Sequence, residues 1–281
     1  MSTSHPRLPG LRARHVDLVG TRLYCRSVGH GPALLLLHGW ALDGRLWTPQ
    51  VRALMRHHRV VVVDRPGFGR SSGQPGLARE VAALRILCRR LGLIRPAVVG
   101  MSQATRVALR LAQCRSLGVR ALVLEGPPPP RGADDRGVED PPMTRYRALV
   151  AAQGLNAFRA LWRQHPLATL RKAGREARHL LQRMLRRYPG LDLTRPVQHA
   201  TRSPSRAVVP EAIPVPTLVV CGCDDLPHRR AAAAALAARL PRATAIAIEA
   251  AGHMPGLDSP RAYTKALAAF LRRHPGPASR G

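Results

Sequence analysis

Two hydrophobic patterns alternate along the chain. Short, largely apolar runs, Ala33–Leu37, Val61–Val63, Val98–Val99, Leu122–Leu124, Pro216–Cys221 and Ala243–Glu249, are bounded by Gly, Pro or charged residues, the pattern of strands buried in a sheet. Arg106–Ala112 instead reads as an amphipathic helix following one such run. Strands separated by helical stretches predict an α/β fold built on a mostly parallel sheet with helices on its faces. The first segment differs: His15–Ser27, with Gly20-Thr21 between Val16-Asp17-Leu18 and Leu23-Tyr24-Cys25, predicts an opening hairpin.

After Glu125 the texture changes. Pro127–Pro130 ends the strand pattern, a polar stretch runs to Asp140, and Tyr146–Leu155, Asn156–Gln164 and Leu170–Arg187 carry apolar residues at helical spacing. Pro210, Pro214 and Pro216 mark the return. The expected division is an N-terminal segment, 1–14, a core of 15–126 and 211–281, and a helical insertion, 127–210.

Candidate chemistry sits at strand ends. Ser102 stands where a strand turns sharply into a helix, a turn that pushes its side chain outward above the sheet edge. Small residues two positions away on either side, Gly100 and Ala104, let the neighbouring backbone crowd that turn. A hydroxyl is a weak nucleophile at neutral pH; it needs an imidazole to take its proton and a carboxylate to orient the imidazole. His253 follows the run ending at Glu249, and Asp225 follows the run ending at Cys221. Functional groups of open parallel sheets gather outside the carboxyl ends of the strands, so the three can converge. Asp225 is the preferred acid, with Asp224 beside it and Glu125 one strand earlier as alternatives. Asp64 is read as pinning its loop and His38 as structural. Cys221-x-Cys223 has the wrong spacing for zinc and is read as two small buried residues.

Five segments, in order, resemble the α/β-hydrolase superfamily, in particular its small serine esterase and lactonase-like members. Ala33–Trp40 is similar to the family's strand and His-Gly oxyanion loop, and Val61–Ser71 to its next strand and glycine-rich loop. Gly100–Ala104 is similar to the nucleophile turn, Gly222–Pro227 to the G-x-x-D segment of the acid, and Gly252–Pro255 to the segment around the histidine. Ala104 and Thr105 depart from it, standing where the family often has glycine. The resemblance spans residues 15–126 and 211–272 and implies the α/β-hydrolase fold with an inserted helical cap. It implies catalytic Ser102, Asp225 and His253, an oxyanion hole made by the backbone N–H groups of Trp40 and Gln103, and neither a metal nor an organic cofactor. Tyr146, Phe158, Leu161 and Trp162 are candidates either to line the pocket or to join the cap helices. Epoxide and haloalkane hydrolysis are disfavoured, because those members carry an aspartate where Ser102 stands.

Charge complicates this picture. Lys and Arg total 45 against 16 acids, a net charge of +29, and with lysine only at Lys172 and Lys265 the remaining 43 are arginines. So basic a chain attracts polyanions at low salt. The arginines are spread over nearly every predicted helix, aromatic content is 4%, and no nucleic-acid motif is present, so no specific nucleic-acid partner is expected. With 281 residues and 45% hydrophobic content the chain can bury one large core. It has no apolar run of the ~18 residues a membrane span needs. Met1–Arg14 lacks a signal-peptide core, and five scattered cysteines suit reduced thiols, so a cytoplasmic location is expected. Oligomeric state leaves no signature. The expected function is a serine hydrolase cleaving a small carboxylic ester or lactone through an acyl-enzyme. C–C bond hydrolysis or cofactor-free perhydrolysis would use the same triad. A non-catalytic hydrolase-fold protein binding a ligand or polyanion is the alternative of another class.

Overall fold

The structure, a computed structural model, describes residues 10–129, 141–195 and 208–279. Strands β1 (Arg12–Leu18) and β2 (Thr21–Val28) form the opening hairpin. Its turn is Val19-Gly20, one residue earlier than the sequence suggests, with Gly20 at the positive φ of 73° that glycine adopts readily. β1 begins inside the segment 1–14 that the sequence pattern set apart. It is mostly exposed, and its arginines blunt the open edge of the sheet.

β2 pairs antiparallel with β4 (Arg59–Val63), and from there the sheet runs parallel through β3 (Gly31–Leu37), β5 (Ala97–Met101), β6 (Ala121–Glu125), β7 (Thr217–Gly222) and β8 (Ala243–Ile248). A short β9 (Ala278–Ser279) pairs with the start of β3. β4 to β7 are buried along their whole length, which is why the chain shows unbroken apolar runs there.

Successive side chains of each strand enter different cores. Leu35, Val61, Val98 and Leu122 pack under α2 (Leu77–Arg90), α3 (Ala104–Ala112) and α7 (Pro227–Arg239). Leu34, Leu36, Val60, Val99 and Val123 belong to the opposite core, with α1 (Thr48–Leu54) and α9 (Pro260–Arg273). The short α8 (Pro255–Asp258) leads into α9.

Between β6 and β7 stand α4 (Met143–Trp162), α5 (Arg175–Arg187) and α6 (Leu191–Thr194). Gly154, at φ 79° and ψ 169°, interrupts α4 at the boundary between the two expected helical stretches. The third begins at Arg175 instead of Leu170, because a tight turn at Pro166–Ala168 and Gly174 precede it. These helices meet the core through the Trp40 indole, whose ring centroid lies 4.8 Å from that of Trp162, 5.6 Å from Phe158, 5.9 Å from Tyr188 and 6.0 Å from Tyr146. Trp40 Nε1 donates to Asp192 at 2.5 Å, and the Tyr188 hydroxyl donates to the same carboxylate. The cluster's buried polar atoms therefore have partners.

Candidate active site

β5 ends at Met101 and α3 begins at Ala104, so the chain reverses within Ser102 and Gln103. Ser102 has φ 52°, a left-handed conformation that costs a non-glycine residue on the order of 1 kcal/mol and persists only where the surroundings impose it. They do so here by hydrogen bonds. Ser102 N donates to Glu125 O at 2.7 Å, tying the turn to the neighbouring strand, and Ser102 O accepts from Thr105 N at 2.9 Å and Thr105 Oγ1 at 2.7 Å. Thr105, one of the two departures from the family pattern, thus fastens the turn. Ala104, the other, is fully buried, and the crowding falls on Gly100, where a Cβ would lie 2.6 Å from Ala104 O.

The other two candidates are brought together. Asp225 lies three residues past β7, with Oδ1 accepting from Leu226 N at 2.8 Å and Oδ2 from His253 Nδ1 at 2.9 Å. Both side chains are buried. Burial alone would raise the Asp225 pKa, but the His253 hydrogen bond and charge, the Leu226 amide and the Arg229 charge outweigh it and hold the carboxyl below its ordinary range. An ionised carboxylate on Nδ1 keeps the proton there and leaves Nε2 as the basic nitrogen. Asp224, by contrast, is exposed. Its loop is clamped by Gly222, where a Cβ would stand 2.2 Å from the carbonyl oxygens of both Ala251 and Gly252. Gly222→Ala is expected to destabilise the fold by about 1–3 kcal/mol, because backbone must move apart, and to lower activity by separating the Asp225 and His253 loops. Urea unfolding combined with an ester assay checks both.

Ser102 and His253 line one cavity of about 890 Å³. Among the described residues no hydrogen bond joins them; contacts between a nucleophile and its base often tighten only around substrate.

Trp40 and Gln103 line the same cavity, and neither backbone amide donates a hydrogen bond among the described residues. Their loops are joined underneath by Arg65, which the sequence did not single out among 43 arginines. Its Nη1 donates to His38 O at 3.1 Å, its Nη2 to Gln103 Oε1 at 3.0 Å, and its Nε to Glu80 at 2.8 Å in a buried ion pair. Arg65 N donates to His38 Nε2, so Nδ1 carries the proton and donates to Gly39 O. Burial, followed by the Arg65 charge, lowers the His38 pKa to about 3. The histidine is a neutral brace, as its structural reading expected.

A family model described as alpha/beta hydrolase fold matches residues 32–260. The chain belongs to the α/β-hydrolase family. It is similar to a pimeloyl-[acyl-carrier protein] methyl ester esterase of Xanthomonas axonopodis pv. citri, 31% identical over 271 residues, covering 88% of this chain and 98% of that one. Its fold is similar to that of a thermophilic esterase from Thermogutta terrifontis, with TM-score 0.75 and 24% identity over 94% of this chain and all of the other. It is also similar to the enol-lactonase of Burkholderia xenovorans LB400, with TM-score 0.73 and 20% identity over 92% of this chain and all of the other.

The remaining candidates of this α/β hydrolase separate cleanly. Asp64 accepts from the amides of Gly44 and Arg70 at 2.8 Å each and pins its loop. Cys221 is buried, but Cys223 is not; it lies in the turn beyond β7 with Sγ 3.2 Å from Glu249 Oε1, because the strand ends one residue earlier. Of the insertion's four candidate side chains, Trp162 lines the cavity, Tyr146 and Phe158 are buried in the aromatic cluster, and Leu161 is 41% exposed. No group of three or more metal-ligating side chains occurs among the described residues.

Glu125 is fully buried at the end of β6 and makes no hydrogen bond to His253. Burial pushes its pKa up from 4.5 to about 7, the Tyr263 hydroxyl and Gly256 amide opposing and the Asp225 charge adding to the rise. A folded-state pKa above the unfolded value stabilises fully below the unfolded pKa and is lost as pH rises through the folded one. Glu125→Gln should therefore gain stability relative to the parent between pH 5 and pH 8, by up to roughly 3 kcal/mol. Urea titrations at the two ends check it, and a pH-independent difference would remove Glu125 as a buried neutral acid.

Proposed function

We propose that Ser102, His253 and Asp225 are the catalytic triad of this enzyme. The protein is a carboxylic ester hydrolase of the serine type, acting on esters or lactones through an acyl-enzyme. The observation that carries the assignment is the buried Asp225–His253 hydrogen bond at 2.9 Å, facing the cavity that Ser102 enters from a left-handed turn. His253 Nε2 takes the Ser102 proton as Oγ attacks the carbonyl. The negative charge on the tetrahedral oxygen is met by the amides of Trp40 and Gln103; Gln103 N–H also lies at the start of α3, where the helix dipole favours an anion. His253 then hands its proton to the leaving alcohol and activates water against the acyl-enzyme.

The Xanthomonas axonopodis relative is a methyl ester esterase of pimeloyl-[acyl-carrier protein], and a cavity of about 890 Å³ accommodates an acyl chain. We extend to this chain the ester bond and leave the carrier to experiment. Five free cysteines support a reducing, cytoplasmic setting, and no helix among the described residues is long and apolar enough to cross a membrane. A fluorophosphonate probe tests the assignment, since it labels only an activated serine. Labelling should map to Ser102 and vanish in Ser102→Ala, and an unlabelled, folded protein would favour the non-catalytic reading.

A further inference from the structure

The loop that carries His253 is tied to the insertion through one carboxylate. Gly252, the residue before the histidine, donates its amide to Asp258 Oδ2 at 2.8 Å. The other oxygen, Oδ1, accepts from Arg171 N at 2.6 Å and Lys172 N at 3.2 Å, both in the insertion. Asp258 closes α8 and is only 6% exposed, so three backbone amides meet a carboxylate largely removed from water, where charge-assisted hydrogen bonds are strong. On the other side of the histidine, Met254 O accepts from Leu257 N at 2.9 Å and Asp258 N at 3.0 Å, so bonds to the same short helix bracket His253. The Arg171 side chain adds to the contact: a Cβ on Gly252 would lie 3.3 Å from its Cγ, and its Nη2 donates to Asp224 O, next to Asp225, at 3.4 Å. One stretch of the insertion therefore touches both loops that carry the Asp225 and His253 pair.

That stretch, residues 170–173, is irregular and is stiffened by Arg178 of α5. Arg178 Nε donates to Ala173 O, Nη1 to Leu170 O and Nη2 to Arg171 O, each at 3.0 Å. A planar guanidinium spread over three carbonyls fixes their relative positions. Among the described residues neither Asp258, Arg171, Lys172 nor Arg178 lines the cavity, so none is placed to touch substrate. We infer, on the triad reading given above, that Asp258, backed by Arg178, is a positioning residue for His253: its carboxylate bridges the insertion to the histidine loop and holds the imidazole between Asp225 and Ser102. An isosteric asparagine cannot keep this bridge. It offers one acceptor oxygen and one NH2, so either Gly252 N or the amides of Arg171 and Lys172 face a donor and lose their partner.

The experiment compares Asp258→Asn with the parent, using a fluorophosphonate both to count active sites and to measure a labelling rate, and p-nitrophenyl hexanoate as substrate. Because an error of about 1 Å in placing a catalytic group costs up to about a hundredfold, kcat per labelled site should fall by about ten- to a hundredfold with KM within about twofold of the parent. The labelling rate should fall alongside, since both reactions need His253 to take the Ser102 proton. Arg178→Met keeps the apolar stem and loses all three donors; it is the second variant should the first not fold, with an expected loss of about threefold to tenfold in kcat per site. Unchanged kcat per site and labelling rate, even beside a lower melting temperature, would overturn the inference and leave Asp258 a stabilising bond alone. A raised KM at constant kcat would overturn it as well, because the carboxylate would then act on the cavity wall through the insertion. Either result in a parent that is labelled at Ser102 refutes only this inference, whereas a folded parent with neither labelling nor turnover refutes the triad reading itself.

Discussion

Ser102→Ala is expected to lower kcat on a p-nitrophenyl ester by about ten-thousand-fold or more while the unfolding midpoint hardly moves. The size of the loss follows from the triad acting as a unit, in which removing the nucleophile discards nearly all of the covalent route and leaves only the oxyanion donors and binding. The neutrality for folding follows from the turn itself. The bonds that impose the left-handed backbone at Ser102 run through its N and O and through Thr105, and its Oγ makes no hydrogen bond among the described residues, so alanine loses none. Steady-state kinetics and a thermal melt suffice, and activity above about a tenth of the parent would remove Ser102 from the mechanism.

Asp225→Asn should reduce turnover by up to about ten-thousand-fold for a different reason. The carboxylate accepts from His253 Nδ1 and from Leu226 N. An asparagine can keep the second bond with its carbonyl oxygen but presents N–H to the imidazole, which pushes the ring proton onto Nε2 and leaves no base facing Ser102. Asp224→Asn is expected to cost far less, because that side chain is exposed on the outside of the turn. A reversed ranking would transfer the acid to Asp224, and a loss confined to Glu125→Gln would transfer it one strand earlier.

Strand positions were legible because a parallel sheet buries both faces, and that leaves unbroken apolar runs such as Val60–Val63 that few other structures produce. The nucleophile turn was legible for a related reason: it needs a serine between a strand and a helix with almost no space, and Gly100 records the crowding. Which of two adjacent aspartates faces His253 was legible only through the three-residue spacing from Gly222, which favoured Asp225, since composition and strand pattern do not encode one residue of turn geometry. Arg65 was not visible. An arginine that bonds His38, Gln103 and Glu80 looks, in a chain with 43 arginines, like any of those left in solvent. The same excess hid Arg229, which is only 1% exposed.

The aromatic cluster around Trp40 decides how a substrate gets in. Lifting the insertion off the core would return the rings of Trp40, Tyr146, Phe158, Trp162 and Tyr188 to water, at about 2 kcal/mol or more for each large side chain, and would break the hydrogen bonds on Asp192 as well. A penalty of that size makes such an opening too rare to serve ordinary turnover. Substrate is then expected to reach Ser102 with the insertion still seated on the core, and truncating Trp162 should change KM through the cavity wall rather than through opening of the insertion.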